Sequence, residues 1–324
     1  MIKGDGPFSF LHSTSIPILG ICGATRGKRL EIMAYLFRSL HDRGLHATSI
    51  HRLFVRGAAG PPDAWRYRIQ TGTDTPILPC DLVLTEDEGM QPTVRIRLDG
   101  KEQPQDEGLL GSFGADTDRP EILNCVLDWL ARIWQRTPVW ACVLIGGRSS
   151  RMGRAKHLIQ DSQGVSWLER TVGLLRPLVN GVVISGAGEV PRGMEGMIRL
   201  ADIPGASGPL AGVLSAFRWQ PAVSWLVVAC DMPDITEDAL RWILSRRAPG
   251  VWGTVPSLQG DGLIEPLLSH YDFRCAPLFE RILCSGCLRI ALVAANPQIE
   301  TPLVPEVIRK SWRNVNTIEE LQEK

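Results

Sequence analysis

The stretch that most constrains this chain runs from Cys142-Val143-Leu144-Ile145-Gly146-Gly147 through the basic residues that follow, as far as Lys156. Val139 to Ile145 is apolar over strand length and stops at two glycines, the pattern of a buried parallel strand that feeds a backbone loop. Arg148, Arg151, Arg154 and Lys156 come next. Glycines let backbone N–H groups approach an anion closely, and the cations neutralise phosphate oxygens that the amides do not reach. The loop reads as a phosphate loop, though not a Walker A loop. That motif needs Gly-Lys-Ser/Thr at the start of a helix, whereas here Lys156 stands nine residues after Gly147 and is followed by His157. His157, beside Lys156, has two readings, a phosphate contact or a surface histidine, and the second is preferred.

Downstream, short apolar runs alternate with helical periodicity. A helix is expected from about Trp167 to Leu178, a strand at Gly181–Ser185, a short strand at Met197–Leu200, and another helix opened by Gly208-Pro209-Leu210-Ala211-Gly212. Trp225 to Ala229 is nearly all apolar and stops at Cys230-Asp231-Met232-Pro233. The alternation predicts an α/β fold, an open and mostly parallel sheet with helices on both faces. Ligands of such sheets gather at the carboxyl ends of the strands, so Gly146, Ser185, Asp202 and Asp231 are expected along one edge. Asp231, a carboxylate directly after a hydrophobic strand, suits a hard divalent cation; the competing role is the cap of the next helix.

A length of 324 residues favours two domains, and Arg136-Thr137-Pro138 breaks the helical period of Ile122 to Trp134, which divides the chain into 1–136 and 137–324. The 35 basic and 35 acidic side chains cancel, so no global field argues for nucleic acid or a membrane surface. Eight scattered cysteines, no signal-peptide pattern and no apolar run of membrane-spanning length fit reduced thiols in the cytoplasm. Cys284 and Cys287 form a single C-x-x-C with no second pair, and no metal or redox role is expected of them.

The first half begins with an aperiodic lead-in, Met1 to Ser15. A strand at Pro17–Cys22 follows, then a turn from Gly23 to Arg29 and a helix from Leu30 to Arg43. That order is the context of a P-loop, yet the motif is degraded. Cys22 stands at the first glycine position, and Arg29 stands where Ser or Thr would hold magnesium, so nucleotide hydrolysis is not expected here. Lys101 to Pro120 reads as an exposed loop.

The spaced pattern Leu144-Ile145-Gly146-Gly147-x-Ser149-x-Arg151-Met152-Gly153-x-x-Lys156 resembles the nucleotide-binding signature of the molybdenum cofactor guanylyltransferases, a branch of the sugar-nucleotide-transferase-like fold. The resemblance implies transfer of GMP from GTP to molybdopterin with Mg2+ on Asp231, and with Lys156 and Arg151 stabilising charge. It implies that Leu144, Ile145, Gly146, Gly147, Ser185, Asp202, Gly208, Pro209 and Gly212 line the nucleotide side of the cleft. Asp261 to Leu267 resembles the family's strand leading into a helix, here Leu268 to Leu283. Trp312 to Leu321 resembles its closing Asn-x-Asn-Thr segment, which implies that Asn314 and Asn316 line the pterin side; Thr317 with Glu320 looks like a capping box. Through Gly146-Gly147 the resemblance also implies GTP. A cytidylyltransferase of the same fold is the alternative, and a non-catalytic nucleotide- or cofactor-binding adaptor is the alternative of another class.

The first half resembles the small GTP-binding adaptor proteins of the same pathway, which implies a second open, mostly parallel sheet with helices on both faces. The residues that carry this are Asp63-Ala64-Trp65-Arg66-Tyr67-Arg68 with the trailing Gly72, and Cys80 to Glu86, a strand ending in an acid that is either Glu86 or Glu88. This second resemblance implies contact with molybdoenzyme apoproteins or cofactor-insertion proteins, and a homodimer through the N-terminal domain.

Overall fold

The computed structural model describes residues 16–55, 64–71, 80–87, 92–100, 108–114, 119–146, 155–260 and 262–315. The chain divides into two compact units, Met1–Arg136 and Thr137–Lys324.

In the first unit the elements are β1 (Ile18–Cys22), α1 (Arg26–His41), β2 (Ala47–Val55), β3 (Ala64–Thr71), β4 (Leu82–Thr85), β5 (Val94–Arg97), β6 (Leu109–Ser112) and α2 (Arg119–Arg136). The strands form one sheet in the order β3-β2-β4-β1-β5-β6, parallel except for the β2–β3 hairpin. Leu19, Ile21, Leu82, Leu84 and Ile96 share one sheet face and one core with Met33 and Leu36 of α1 and Val126 and Leu130 of α2. Both described helices of this unit therefore lie on one face, which differs from the expected helices on both. The link from β4 to β5, Glu86 to Thr93, is too short to hold a helical crossover. α1 also begins four residues before its apolar periodicity, because the Thr25 hydroxyl accepts from Lys28 N–H and caps it. Gly27, Lys28 and Arg29 thus belong to the helix rather than to the preceding turn.

The second unit holds β7 (Val139–Leu144), α3 (Trp167–Leu175), β8 (Gly181–Ser185), β9 (Ile198–Leu200), α4 (Pro209–Trp219), β10 (Ser224–Ala229), α5 (Glu237–Ser245), β11 (Gly253–Thr254), β12 (Leu268–Tyr271), α6 (Ala276–Cys284) and β13 (Ile299–Glu300). Its sheet runs β13-β11-β12-β10-β7-β8-β9. β12 is antiparallel to β10 and to β11, and the other pairs are parallel. Alternate residues of the central strands feed two cores. Ala141, Val143, Ile184 and Val228 pack with Leu168 and Val172 of α3 and Leu240 and Ile243 of α5. Cys142, Val183, Trp225 and Val227 pack with Leu210 and Leu214 of α4 and Phe279 of α6 on the other face. Burying each such large side chain stabilises the sheet by about 1.5–3 kcal/mol.

Three expected elements differ: Lys101 to Pro120 is not all loop, since β6 occupies Leu109–Ser112 and α2 starts at Arg119; Gly262 to Leu267 forms no strand, only a bridge from Ile264 to Ser257; and Leu268 to Leu283 is not a single helix. Leu268-Ser269-His270-Tyr271 is strand β12, and α6 starts only at Ala276. Asp272, whose side chain accepts from Arg274 N–H, closes the strand, and Pro277 sits in the first turn of the helix.

Candidate active site

Several chain segments converge at the carboxyl ends of β7, β8 and β10. They enclose a cavity of about 470 Å³ lined by Leu144, Ile145, Gly146, Lys156, Ser185, Asp202, Gly208, Pro209, Gly212 and Asp231, with Ala187, Ala229, Cys230 and Leu267 completing the wall. Each of the first ten was named from the sequence. Gly147 and Arg151 lie outside the described residues, as do Asn316 and the Thr317–Glu320 capping box.

The floor is set by close backbone packing. A Cβ at Gly212 would stand 2.6 Å from Leu144 and 3.1 Å from the Ser185 hydroxyl, so α4 approaches β7 and β8 only with glycine there. Gly208 at φ 66° precedes Pro209, and the N-terminus of α4 opens on the cavity. The Ser185 side chain is 1% exposed and donates its hydroxyl proton to the Gly212 carbonyl at 3.3 Å, leaving its lone pairs as acceptors.

The charged end consists of Lys156 and Asp231. Lys156 Nζ lies 3.2 Å from Asp231 Oδ2, and both side chains keep partial contact with solvent. The Asp231 carbonyl accepts from Val315 N–H at 3.0 Å, which ties the segment of Asn314 to this end, although Asn314 itself does not line the cavity. A second carboxylate, Glu265, carries a raised pKa, chiefly because burial disfavours its charge and also because Asp231 is near. The sequence singled out the stretch containing Glu265 but not the residue. Burial, reinforced by the Asp231 charge, pushes the Cys230 thiol up to about 12, so it stays a neutral wall residue.

His157 departs from expectation. It is buried at 2% exposure, with Nε2 on the carbonyl oxygen of Glu189 at 2.8 Å, because the loop after β8 folds over it. Cys284 and Cys287 are free thiols. Among the described residues no three His, Cys, Asp or Glu side chains gather as a metal cage. Magnesium does not require one, since it is commonly held by one or two carboxylates together with substrate phosphates. Asp231, opening on the cavity with Glu265 nearby, fits that mode.

The corresponding turn of the first unit does not fit a metal. Arg26 Nε donates to Glu86 Oε1 at 3.0 Å, and Arg29 Nε lies 3.7 Å from Glu86 Oε2. Arg29 Nη1 also donates to the carbonyls of Gly23 and Ala24 at 3.2 and 3.0 Å. Two guanidinium groups hold the acid where a divalent cation would have to stand. Glu88 lies outside the described residues.

A sheet of this order, with a glycine-lined cleft and a lysine–aspartate pair at its strand ends, defines the second unit as a nucleotide-handling transferase. The MobA-like NTP transferase domain family matches residues 141–298. A probable molybdenum cofactor guanylyltransferase of Chloroflexus aggregans is 30% identical over 189 residues, covering 56% of this chain and 90% of that protein. A molybdenum cofactor biosynthesis bifunctional protein of Synechocystis is 29% identical over 148 residues, 45% of this chain but 42% of that one. The chain is also similar to the solved molybdopterin-guanine dinucleotide biosynthesis protein A of Archaeoglobus fulgidus, at 23% identity and a TM-score of 0.47 over 56% of this chain and 95% of that one. This chain belongs to the molybdenum cofactor guanylyltransferase family, a group of MobA-like nucleotidyltransferases. No described helix is long and apolar enough to cross a membrane.

Proposed function

We propose that the second unit transfers GMP from GTP to the terminal phosphate of molybdopterin, forming the guanine dinucleotide cofactor and releasing pyrophosphate. The observation that carries this reading is the Lys156–Asp231 pair at 3.2 Å, on the wall of a cavity open at the strand ends. An oxygen of the acceptor phosphate attacks the α-phosphorus of GTP in line, the bond to the β-phosphate bridging oxygen breaks, and pyrophosphate leaves. Magnesium held on Asp231, with Glu265 close by, would neutralise the phosphate charge. Lys156, joined by Arg151, exchanges its partner Asp231 for phosphate oxygens and stabilises the negative charge of the transition state. Little covalent chemistry falls to the protein, so positioning carries much of the rate. Gly146 and Gly147 let the chain approach the phosphates, and Asp202 accepts hydrogen bonds from the ribose or the base. Ser185, left as an acceptor, meets an N–H edge of the base, which guanine offers. Asn314 and Asn316 take the pterin side.

In this reading residues 137–324 are the catalytic domain. Residues 1–136 are a P-loop-type adaptor domain with a degraded Walker A loop, which contacts a receiving molybdoenzyme or a second copy of the chain in the cytoplasm. Pyrophosphate release is measured with molybdopterin, magnesium and either GTP, CTP or ATP. GTP-dependent release is expected. A preference for CTP would overturn the base assignment, and binding with no release from any of the three would leave an adaptor.

A further inference from the structure

The transfer chemistry does not use His157, yet this residue follows Lys156 directly in the short 3-10 turn Lys156–Leu158. A carbonyl oxygen only accepts, so at the 2.8 Å contact with Glu189 it is Nε2 that carries the proton and donates. The bond ties the lysine's segment to the loop after β8, 32 residues further along the chain. That loop is laid tightly on the one after β7. Gly186 has φ 114°, and a Cβ there would stand 2.0 Å from the Ile145 carbonyl oxygen. Arg199 Nη2 donates to the Gly188 carbonyl at 2.6 Å, and Gly188, at φ 140°, is packed so close to the imidazole that a Cβ would lie 3.1 Å from its Cε1. Between these two glycines Ala187 reaches the cavity wall, as Ser185 does from the end of β8.

The two segments that His157 joins are the two a bound nucleotide must bridge, with its anionic end at Lys156 and its base beside Ser185 and Ala187. We propose that His157 is a positioning residue whose hydrogen bond to Glu189 sets the span between the phosphate end and the base-side wall of the cleft, and so selects the nucleotide. This rests on the nucleotidyl-transfer reading. Lys156 keeps its Asp231 partner when the bond is lost, so the wall is displaced while the charged end stays assembled. Binding and base preference suffer more than turnover.

The test compares His157→Leu, which fills the space without a donor, with His157→Gln, whose amide can still donate. Both are made in the full chain, with thermal melting as the folding control. For His157→Leu the KM for GTP is expected to rise about tenfold while kcat stays within about threefold, and the GTP-over-CTP ratio of kcat/KM to fall about tenfold. His157→Gln should recover most of both effects. A His157→Leu enzyme with the parent KM and base preference would overturn the proposal, as would loss of kcat and melting temperature with KM unmoved, or His157→Gln behaving like His157→Leu. Calorimetric titration with GTP alone separates the two readings. If the parent chain binds GTP without transferring it, the transfer reading fails, while weaker GTP binding by His157→Leu still upholds the span. A parent chain that binds no GTP overturns both.

Discussion

Both units carry an apolar strand that runs into glycine and a set of cations, and the described strand ends differ in the space they leave. In the first, Arg26 and Arg29 are spent on Glu86, whose side chain is 5% exposed, and on the loop's own carbonyls. The space beside Cys22 and Glu86 is about 10 Å³, roughly room for one water. In the second, Asp231 is 26% exposed and the cavity at the strand ends is about 470 Å³. Basic residues near glycine do not by themselves make an anion site. Each described site pairs a cation with a chain carboxylate, and what differs is the room left beside the pair. The Glu86 side chain fills the strand end in the first unit, while Asp231 lines an open cavity in the second.

The sharpest way to break this contrast is to remove the open site's carboxylate. Asp231→Ala is expected to lower pyrophosphate release about a thousandfold with the melting profile retained, because the group that would hold the metal is gone while the fold's cores are untouched. Magnesium-dependent release at the parent rate would refute the role of Asp231. Chelating magnesium should likewise stop transfer but leave the first unit's stability unchanged, since the cations at that turn are part of the chain.

The next largest effect is expected in the wall of the open cleft. Gly186→Ala places a Cβ 2.0 Å from the Ile145 carbonyl at a backbone φ of 114°, so the two loops must separate. Urea unfolding followed by tryptophan fluorescence should show a loss of about 3 kcal/mol. A variant as stable as the parent would mean that the loops are not held together as tightly as this spacing requires.

Much of the open cleft is legible in the sequence, because its parts are local patterns. β7 and β10 are short apolar runs, and a glycine or a carboxylate stands two residues after each. Other parts carry no local signal. Leu268, Ser269, His270 and Tyr271 are all at or below 2% exposure, so β12 lacks the polar alternation that marks a half-exposed strand and reads equally well as the start of a buried helix. The burial of His157 is created by a loop far along the chain, and the proximity of Glu265 to Asp231 by the β10–β12 pairing; neither leaves a trace in neighbouring residues. In the first unit the motif's defects were visible, but the use of Arg29 depends on Glu86, which only the β1–β4 pairing brings alongside.

The closed turn offers its own test. Arg29→Met removes two hydrogen bonds to loop carbonyls and one of the two guanidinium groups facing a mostly buried carboxylate. It is expected to destabilise the first unit by about 2 kcal/mol while leaving the rate of pyrophosphate release unchanged. A fall in transfer without loss of stability would mean that this turn serves the reaction and would collapse the contrast.

The smallest effect is also the most discriminating between a working phosphate loop and a structural helix start. Gly27 stands at the start of α1, where a P-loop needs a glycine beside phosphate, but a Cβ placed on it meets nothing within 4 Å. A glycine that serves only as a helical residue is improved by alanine, which loses less backbone entropy on folding, whereas one that cradles an anion is not. Gly27→Ala is therefore expected to stabilise the first unit by about 0.5 kcal/mol, read as a small rise in its urea midpoint. Calorimetry should count the same equivalents of GTP per chain before and after the substitution. If instead the chain binds two equivalents and Gly27→Ala removes one, the first turn holds nucleotide after all, and Arg29 is a gate that the ligand displaces rather than a permanent replacement for it.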